Sequence, residues 1–252
     1  MLKKQLQLVL IFILFALPLA AQDADYLFDK ANEAYQQEKY QQAINLYQQI
    51  IEKGRVSGKL FYNLGNAYYK INEIGEAILY YKKAKKLMPD DKNVAFNLKL
   101  ANVKVKDRIQ APPPNFIAKI HDRLVNLFSL FTWSIIFSLA IFLAAVIFLL
   151  RTTLLRKKSR VMLRLILISL VIAAITLYPT LQKYQTEQVA NRGVLLNNMA
   201  AVYAAPDSES TRLFDIHEGT AFDILDVDGP WYKIQLIDGK QGWLPQELCG
   251  EI

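Results

Sequence analysis

Apolar and polar positions follow one another along this chain in four patterns. Leu8 to Phe15 is an apolar run, preceded by Lys3 and Lys4 and followed by Leu-Pro-Leu-Ala-Ala. From Asp23 to Arg108 the chain is polar and rich in tyrosine, with apolar residues at helical spacing. Two longer apolar runs, Trp133 to Leu150 and Val161 to Tyr178, flank the basic stretch RTTLLRKKSR. Beyond Asn191 the period falls to two: MAAVY, TAFDILDV, WYKIQLI and GWLP are separated by Pro-Asp-Ser, Asp-Gly-Pro and Asp-Gly-Lys turns. This predicts short strands closing into a small barrel.

The two long runs organise the rest. Trp133 to Leu150 holds no charged side chain, and a helix of that length covers about 27 Å, close to a hydrocarbon core of ~30 Å. The second run is broken only by Arg164 near its start, where a long side chain reaches back to the headgroups. Transmembrane helices are therefore expected at 131–150 and 161–179, with Trp133 and Tyr178 as interfacial aromatics. The loop 151–160 carries Arg151, Arg156, Lys157, Lys158 and Arg160, and a tight basic loop stays in the cytoplasm. Both flanking regions then lie across the membrane on one side. The opening segment gives the same side independently: a charged start, a short apolar middle and small residues read as a secretory signal over 1–21, cut after Ala20 or Ala21 or left as a third anchor. The competing reading, a buried hairpin in a soluble protein, needs flanking domains large enough to enclose two such helices.

The region 22–110 repeats itself at an offset of 34 residues: Leu27 with Phe61, Asn32 with Asn66, Tyr35 with Tyr69, Ala43 with Ala77, Ile44 with Ile78, Tyr47 with Tyr81 and Ile50 with Ala84. In the second copy Gly65 and Ala77 are small where two helices would cross, Tyr68 and Tyr81 fill the space beside them, and Pro89 stops the second helix. Leu64, Gly65, Tyr68, Ala77, Tyr81, Ala84 and Pro89 fall where the tetratricopeptide repeat has its signature residues, and the copy resembles that family closely. The first copy is weaker, with Lys30, Ala31 and Ala34 at three of those places. A third unit shows only its leading helix, about Asn93 to Lys106; it reads as a cap, with the array completed by a partner or a neighbouring copy.

Each leading helix carries a second stripe: Phe28, Asn32 and Tyr35 in the first, Tyr62, Asn66 and Tyr69 in the second. With Lys70 and Phe96 these form the candidate peptide-binding groove. The resemblance implies a concave face that holds an extended peptide, with the asparagines bonding its backbone. Members that grip a terminal carboxylate add basic residues in the first and third leading helices; here Phe28, Asn93 and Asn97 stand there, which favours an apolar or mixed peptide. The alternative is that these side chains merely solvate an open groove.

Ala111 to Asn115, with three consecutive prolines, is a stiff spacer. Phe116, Ile120, Leu124, Leu127, Phe128 and Phe131 then recur at helical spacing, so 111–130 is expected to end in a helix lying in the membrane surface or packed on the last repeat helix. His121 sits on its polar side. A polar stem, 180–190, follows the second span. The segment 191–252 resembles bacterial SH3-like domains through an opening strand with Val202 and Tyr203, then Pro206, Glu218-Gly219-Thr220, Trp231, Asp238-Gly239 and Gly242-Trp243-Leu244. It lacks the acidic and aromatic signature by which eukaryotic SH3 domains take Pro-rich ligands; the resemblance implies cell-wall peptides or protein partners. Tyr203, Trp231 and Trp243 are its ligand candidates, although in so small a barrel Trp231, Tyr232 and Trp243 suit the core better.

Charge and rare residues narrow the function. The formal charge is +7, but it is concentrated in 151–164, whereas 191–252 carries ten acidic against four basic side chains. That distribution is topological, and no basic surface for nucleic acid is expected. Cys249 stands alone and packs as a small apolar residue, and His121 and His217 are too far apart in the chain to suggest a metal site. With no phosphate loop or nucleophile elbow, and with Asp223, Asp226 and Asp228 on a solvent-facing alternation, neither an enzyme nor a cofactor is expected.

The fold class expected is a multidomain membrane protein: an all-α tetratricopeptide-repeat array, two transmembrane helices and a small all-β SH3-like barrel. That order resembles the BatE-type proteins of the Bacteroides aerotolerance (Bat) operon. The resemblance implies a bacterial inner-membrane protein with both modules periplasmic, working beside von Willebrand A-type membrane proteins and a MoxR-type ATPase in an assembly tied to envelope stress or oxygen tolerance. The residues point to a scaffold that collects protein partners. The alternative is a cell-wall protein that senses or attaches to peptidoglycan through the SH3-like domain; a third reading, regulation of an envelope hydrolase, differs only in the partner.

Overall fold

A computed structural model describes residues 23–154, 160–189 and 191–252. The signal segment 1–21 and residues 155–159 of the basic loop lie outside the described residues. The chain forms two compact units: the residues up to Ala111 together with Asn191–Ile252, and Pro112–Ala190.

In the first unit, five helices follow from the repeat: α1 (23–36), α2 (Tyr40–Glu52), α3 (Gly58–Lys70), α4 (Ile74–Leu87) and α5 (Lys92–Lys104). Ser57 Oγ accepts the Leu60 N–H to start α3, and Asp91 Oδ1 accepts the Asn93 and Val94 N–H groups to start α5. Gly65 is where α3 meets α4: a Cβ there would lie 2.8 Å from the Tyr81 ring. The first repeat closes over Ala31, Ala43, Ile44, Tyr47, Leu60 and Leu64.

The third unit keeps only its leading helix, as expected. One repeat after Gly65 stands Lys99, and with Ala95 and Asn102 it leaves the crossing face of α5 exposed. The chain then runs extended, with Val105, Asp107 and Ile109 turned inward and Lys106, Arg108 and Gln110 outward. Ile109 packs against the barrel core. The barrel of the same chain covers α4, since Val194 shares one buried cluster with Ile74, Ala77, Ile78, Leu79 and Val105.

The barrel is one antiparallel sheet of β1 (Arg192–Leu195), β2 (Met199–Tyr203), β3 (Arg212–His217), β4 (Ala221–Asp228), β5 (Trp231–Gln235), β6 (Gln241–Pro245) and β7 (Cys249–Glu251), in the order β3-β2-β6-β5-β4-β1-β7. Its core joins Leu195 on β1 to Ile216 on β3 and to Ile234 and Leu244 between them, so the sheet curls over on itself. The opening strand is β1 rather than the strand with Val202 and Tyr203. β1 shows no alternation because both its faces are covered: Leu195 enters the barrel core and Val194 the cluster on α4.

The second unit holds α6 (Phe116–Val125), α7 (Leu130–Leu149) and α8 (Arg160–Tyr184). Leu130–Thr153 and Arg160–Glu187 are long and apolar enough to cross a membrane. Small residues are buried between them: Ala140 and Ala144 on α7, Ser169, Ala173 and Thr176 on α8. α6 joins α8 through His121, whose Nε2 lies 2.8 Å from the Tyr178 hydroxyl. Trp133 is buried, its indole N–H donating to the Val125 carbonyl at 3.0 Å. The expected stem after residue 179 is corrected here: α8 continues through Pro179 to Tyr184. Pro179 removes one ladder donor, while the Thr176 and Thr180 hydroxyls bond the carbonyls of Ile172 and Thr176 in the same turns.

Candidate peptide groove and aromatic patch

The eight groove candidates lie on the three leading helices: Phe28, Asn32 and Tyr35 on α1, Tyr62, Asn66, Tyr69 and Lys70 on α3, and Phe96 on α5. A repeated hydrogen-bond unit ties these helices together. Asn32 Oδ1 accepts from the Tyr47 hydroxyl (2.7 Å) and from Asn63 Nδ2 (2.9 Å). One repeat later Asn66 Oδ1 accepts from the Tyr81 hydroxyl (2.8 Å) and from Asn97 Nδ2 (2.9 Å). Burial pushes the Tyr47 hydroxyl up to about 12 and raises that of Tyr81, so both stay neutral donors. With both lone pairs of each Oδ1 engaged, the amide cannot flip without losing two bonds. Asn32 and Asn66 are half-buried, and their Nδ2 groups, which take no part in these bonds, are not sealed from solvent.

Around this ladder the aromatics pack on one another. Phe28 lies 5.9 Å from Tyr47 and Tyr62 6.1 Å from Tyr81, ring centre to ring centre, and Tyr35 meets Tyr40 edge-on at 5.3 Å. Lys70 Nζ sits 5.9 Å from the Tyr40 ring and Lys104 Nζ 4.3 Å from that of Tyr69. On α5 the same stripe continues as Phe96, Leu100 and Val103, which are 66%, 43% and 58% exposed. Leu100, Val103 and Lys104 were missed in the sequence. Carrying the offset of 34 residues one step further, from Asn66, Tyr69 and Lys70, finds all three.

In the barrel, Tyr203, Trp231 and Trp243 come together on the outer side of β2, β5 and β6. Tyr203 stands opposite Trp243, which stands opposite Lys233, and the Tyr203 ring meets Trp231 edge-on at 5.8 Å. All three are half-buried, while their neighbours Val202, Tyr232 and Leu244 point into the core. The core alternative thus holds for Tyr232 but not for the two tryptophans. Burial pushes the Cys249 thiol up to about 12, and its Sγ lies 3.4 Å from the Pro245 carbonyl, beside the barrel core.

The array and barrel also meet through polar contacts. Glu218 Oε1 accepts the Gly75 N–H in the first turn of α4 at 2.6 Å. Asp107 accepts from the Thr220 hydroxyl (2.7 Å), the His217 N–H (2.7 Å) and His217 Nδ1 (2.8 Å). Burial pushes the Asp107 carboxyl up, but these bonds outweigh it and hold the group below its ordinary value. Glu73, Glu76 and Glu218 bring carboxylate oxygens within 4.8 Å of one another, the one such trio among the described residues. Burial raises the Glu76 carboxyl, with Glu73 and Glu218 adding to the shift, and its Oε2 is buried without a partner.

Residues 28–92 match the family model described as tetratricopeptide repeat, and residues 198–248 match that described as bacterial SH3 domain. No curated protein matches the chain. β1 and β7, the two strands that pack on α4, fall outside the SH3 match. The chain thus combines a tetratricopeptide-type helical region with a bacterial SH3-like sheet.

Proposed function

We propose that this protein is a bacterial inner-membrane scaffold that presents one composite module to the periplasm and captures envelope partners in the repeat groove. The observation that carries the reading is the groove itself: two amide donors not sealed from solvent, each fixed by a tyrosine and an asparagine, beside an exposed apolar stripe. Such a surface recruits rather than catalyses. The membrane placement is supported by α7 and α8, whose most apolar stretches are only 17% and 11% buried. Topology is supported by packing. Residues 23–111 and 191–252 form one compact unit, which supports their sharing one compartment. The basic loop then makes that compartment the periplasm.

The architecture is similar to BatE-type proteins, and on that likeness the proposed partners are von Willebrand A-type membrane proteins and a MoxR-type ATPase system, in an assembly serving aerotolerance or envelope stress. A photo-crosslinking residue at Tyr69 or Phe96 in cells tests this: von Willebrand A-type proteins should be recovered from both positions and not from exposed Glu52 on α2. Equal recovery from all three would refute the groove.

A second reading rests on the outer patch of Tyr203, Trp231 and Trp243, which suits contact with peptidoglycan stem peptides. Under it, the full-length protein would sediment with purified wall and lose this with Trp231→Ala and Trp243→Ala, but not with groove substitutions.

A further inference from the structure

Resting on the groove reading, we infer that the occupant is an internal stretch of extended peptide carrying bulky apolar side chains next to acidic ones, not a chain terminus. Three features lead there. Asn32 and Asn66 present neutral N–H donors one repeat apart. Adjacent helices lie about 9 Å apart, so the donors suit backbone carbonyls roughly three residues apart in a strand. At the third station the asparagine is replaced by Leu100, flanked by Phe96 and Val103, all exposed. The ligand therefore offers carbonyls at two stations and an apolar side chain at the third.

The third feature is charge. Lys70 and Lys104 are repeat equivalents, each held over a tyrosine ring, and Lys104 also donates to Asn72 Oδ1 at 3.2 Å. They sit at the ends of α3 and α5, the second and third leading helices, and each is engaged by its own tyrosine. Spread in this way they complement acidic side chains along the strand. Asp91, the acid nearest the start of α5, is occupied in capping that helix, and Asp107 beyond its end is bonded to His217 and Thr220.

The test uses the full-length protein in nanodiscs and fluorescent peptides of about twelve residues, blocked at both ends, on a Gly-Ser background. One carries Phe and Glu together, a second has Phe→Ser, a third Glu→Lys, and a fourth is the first with a free C-terminal carboxylate. The first should bind, and the second, or the Phe96→Ala protein, should weaken binding about tenfold. The third should bind more weakly than the first, and Lys104→Glu should reverse that order. Asn66→Asp keeps an acceptor for Tyr81 and Asn97 while removing the N–H donor, so it should abolish binding in a folded protein. Binding that depends on Asn66 but is indifferent to Phe96 and Lys104, or that favours the free carboxylate, would overturn the ligand class and leave the groove standing. If no peptide binds in an Asn66-dependent way, the groove reading and this inference fall together.

Discussion

The Asn66 amide takes two donors from inside the array and leaves its own donor unsealed from solvent, so one residue serves both core and groove. Asn66→Ala should cost about 1–3 kcal/mol, because it strands the buried Tyr81 hydroxyl, whereas Tyr81→Phe removes donor and demand together and should cost about 1 kcal/mol. Thermal melts of the two variants give the comparison. The stripe of asparagines and tyrosines was legible in the sequence because a period of 34 residues places equivalent residues alike. That Tyr47 and Tyr81 lock the amides was not, since it depends on a contact between helices. Two carboxyls at the junction respond to acid in opposite directions. The Asp107 carboxyl is lowered in the folded protein, so its contribution is full above its unfolded value and is lost as pH falls below about 4. The Glu76 carboxyl is raised, so its burial destabilises at neutral pH and is relieved as pH falls through its folded value. Asp107→Asn should therefore remove part of the acid sensitivity in a stability-against-pH series, and Glu76→Gln should stabilise at neutral pH.

Elements that hide their faces from water on one side only were readable; those covered on both sides were not. β2, β5 and β6 alternate because one face is wet, whereas the run Gly193-Val194-Leu195 in β1 is buried throughout, between the barrel core and α4. Pro179 signals a stop in water, yet α8 continues past it to Tyr184. Close approach of α4 and the barrel depends on small residues. A Cβ at Gly219, where φ is +81°, would meet Val105 and Ile78 at 2.8 and 2.9 Å, and one at Gly250 would meet Leu79 at 2.4 Å. Gly219→Ala should cost about 1–2 kcal/mol from backbone strain alone. Hydrogen exchange should show the loss first in β1, β7 and α4, with β5 and β6 still protected; uniform loss across the barrel would contradict a local role.

At the scale of the molecule, two stretches separated in sequence by an apolar hairpin fold into one unit. Charge pattern and apolar length were enough to expect both on one side of a membrane; that they pack against each other was not legible, because Asp107, His217 and Gly75 belong to no motif and the Glu218-Gly219-Thr220 turn does not show in the sequence that it meets α4. Single cysteines at exposed Val103 and Asp226, each in a Cys249→Ser background, test the arrangement most directly when treated with a membrane-impermeant maleimide in intact spheroplasts. Labelling of both without permeabilisation is the predicted result. Labelling of either one only after the membrane is broken would contradict a periplasmic module built from both ends of the chain.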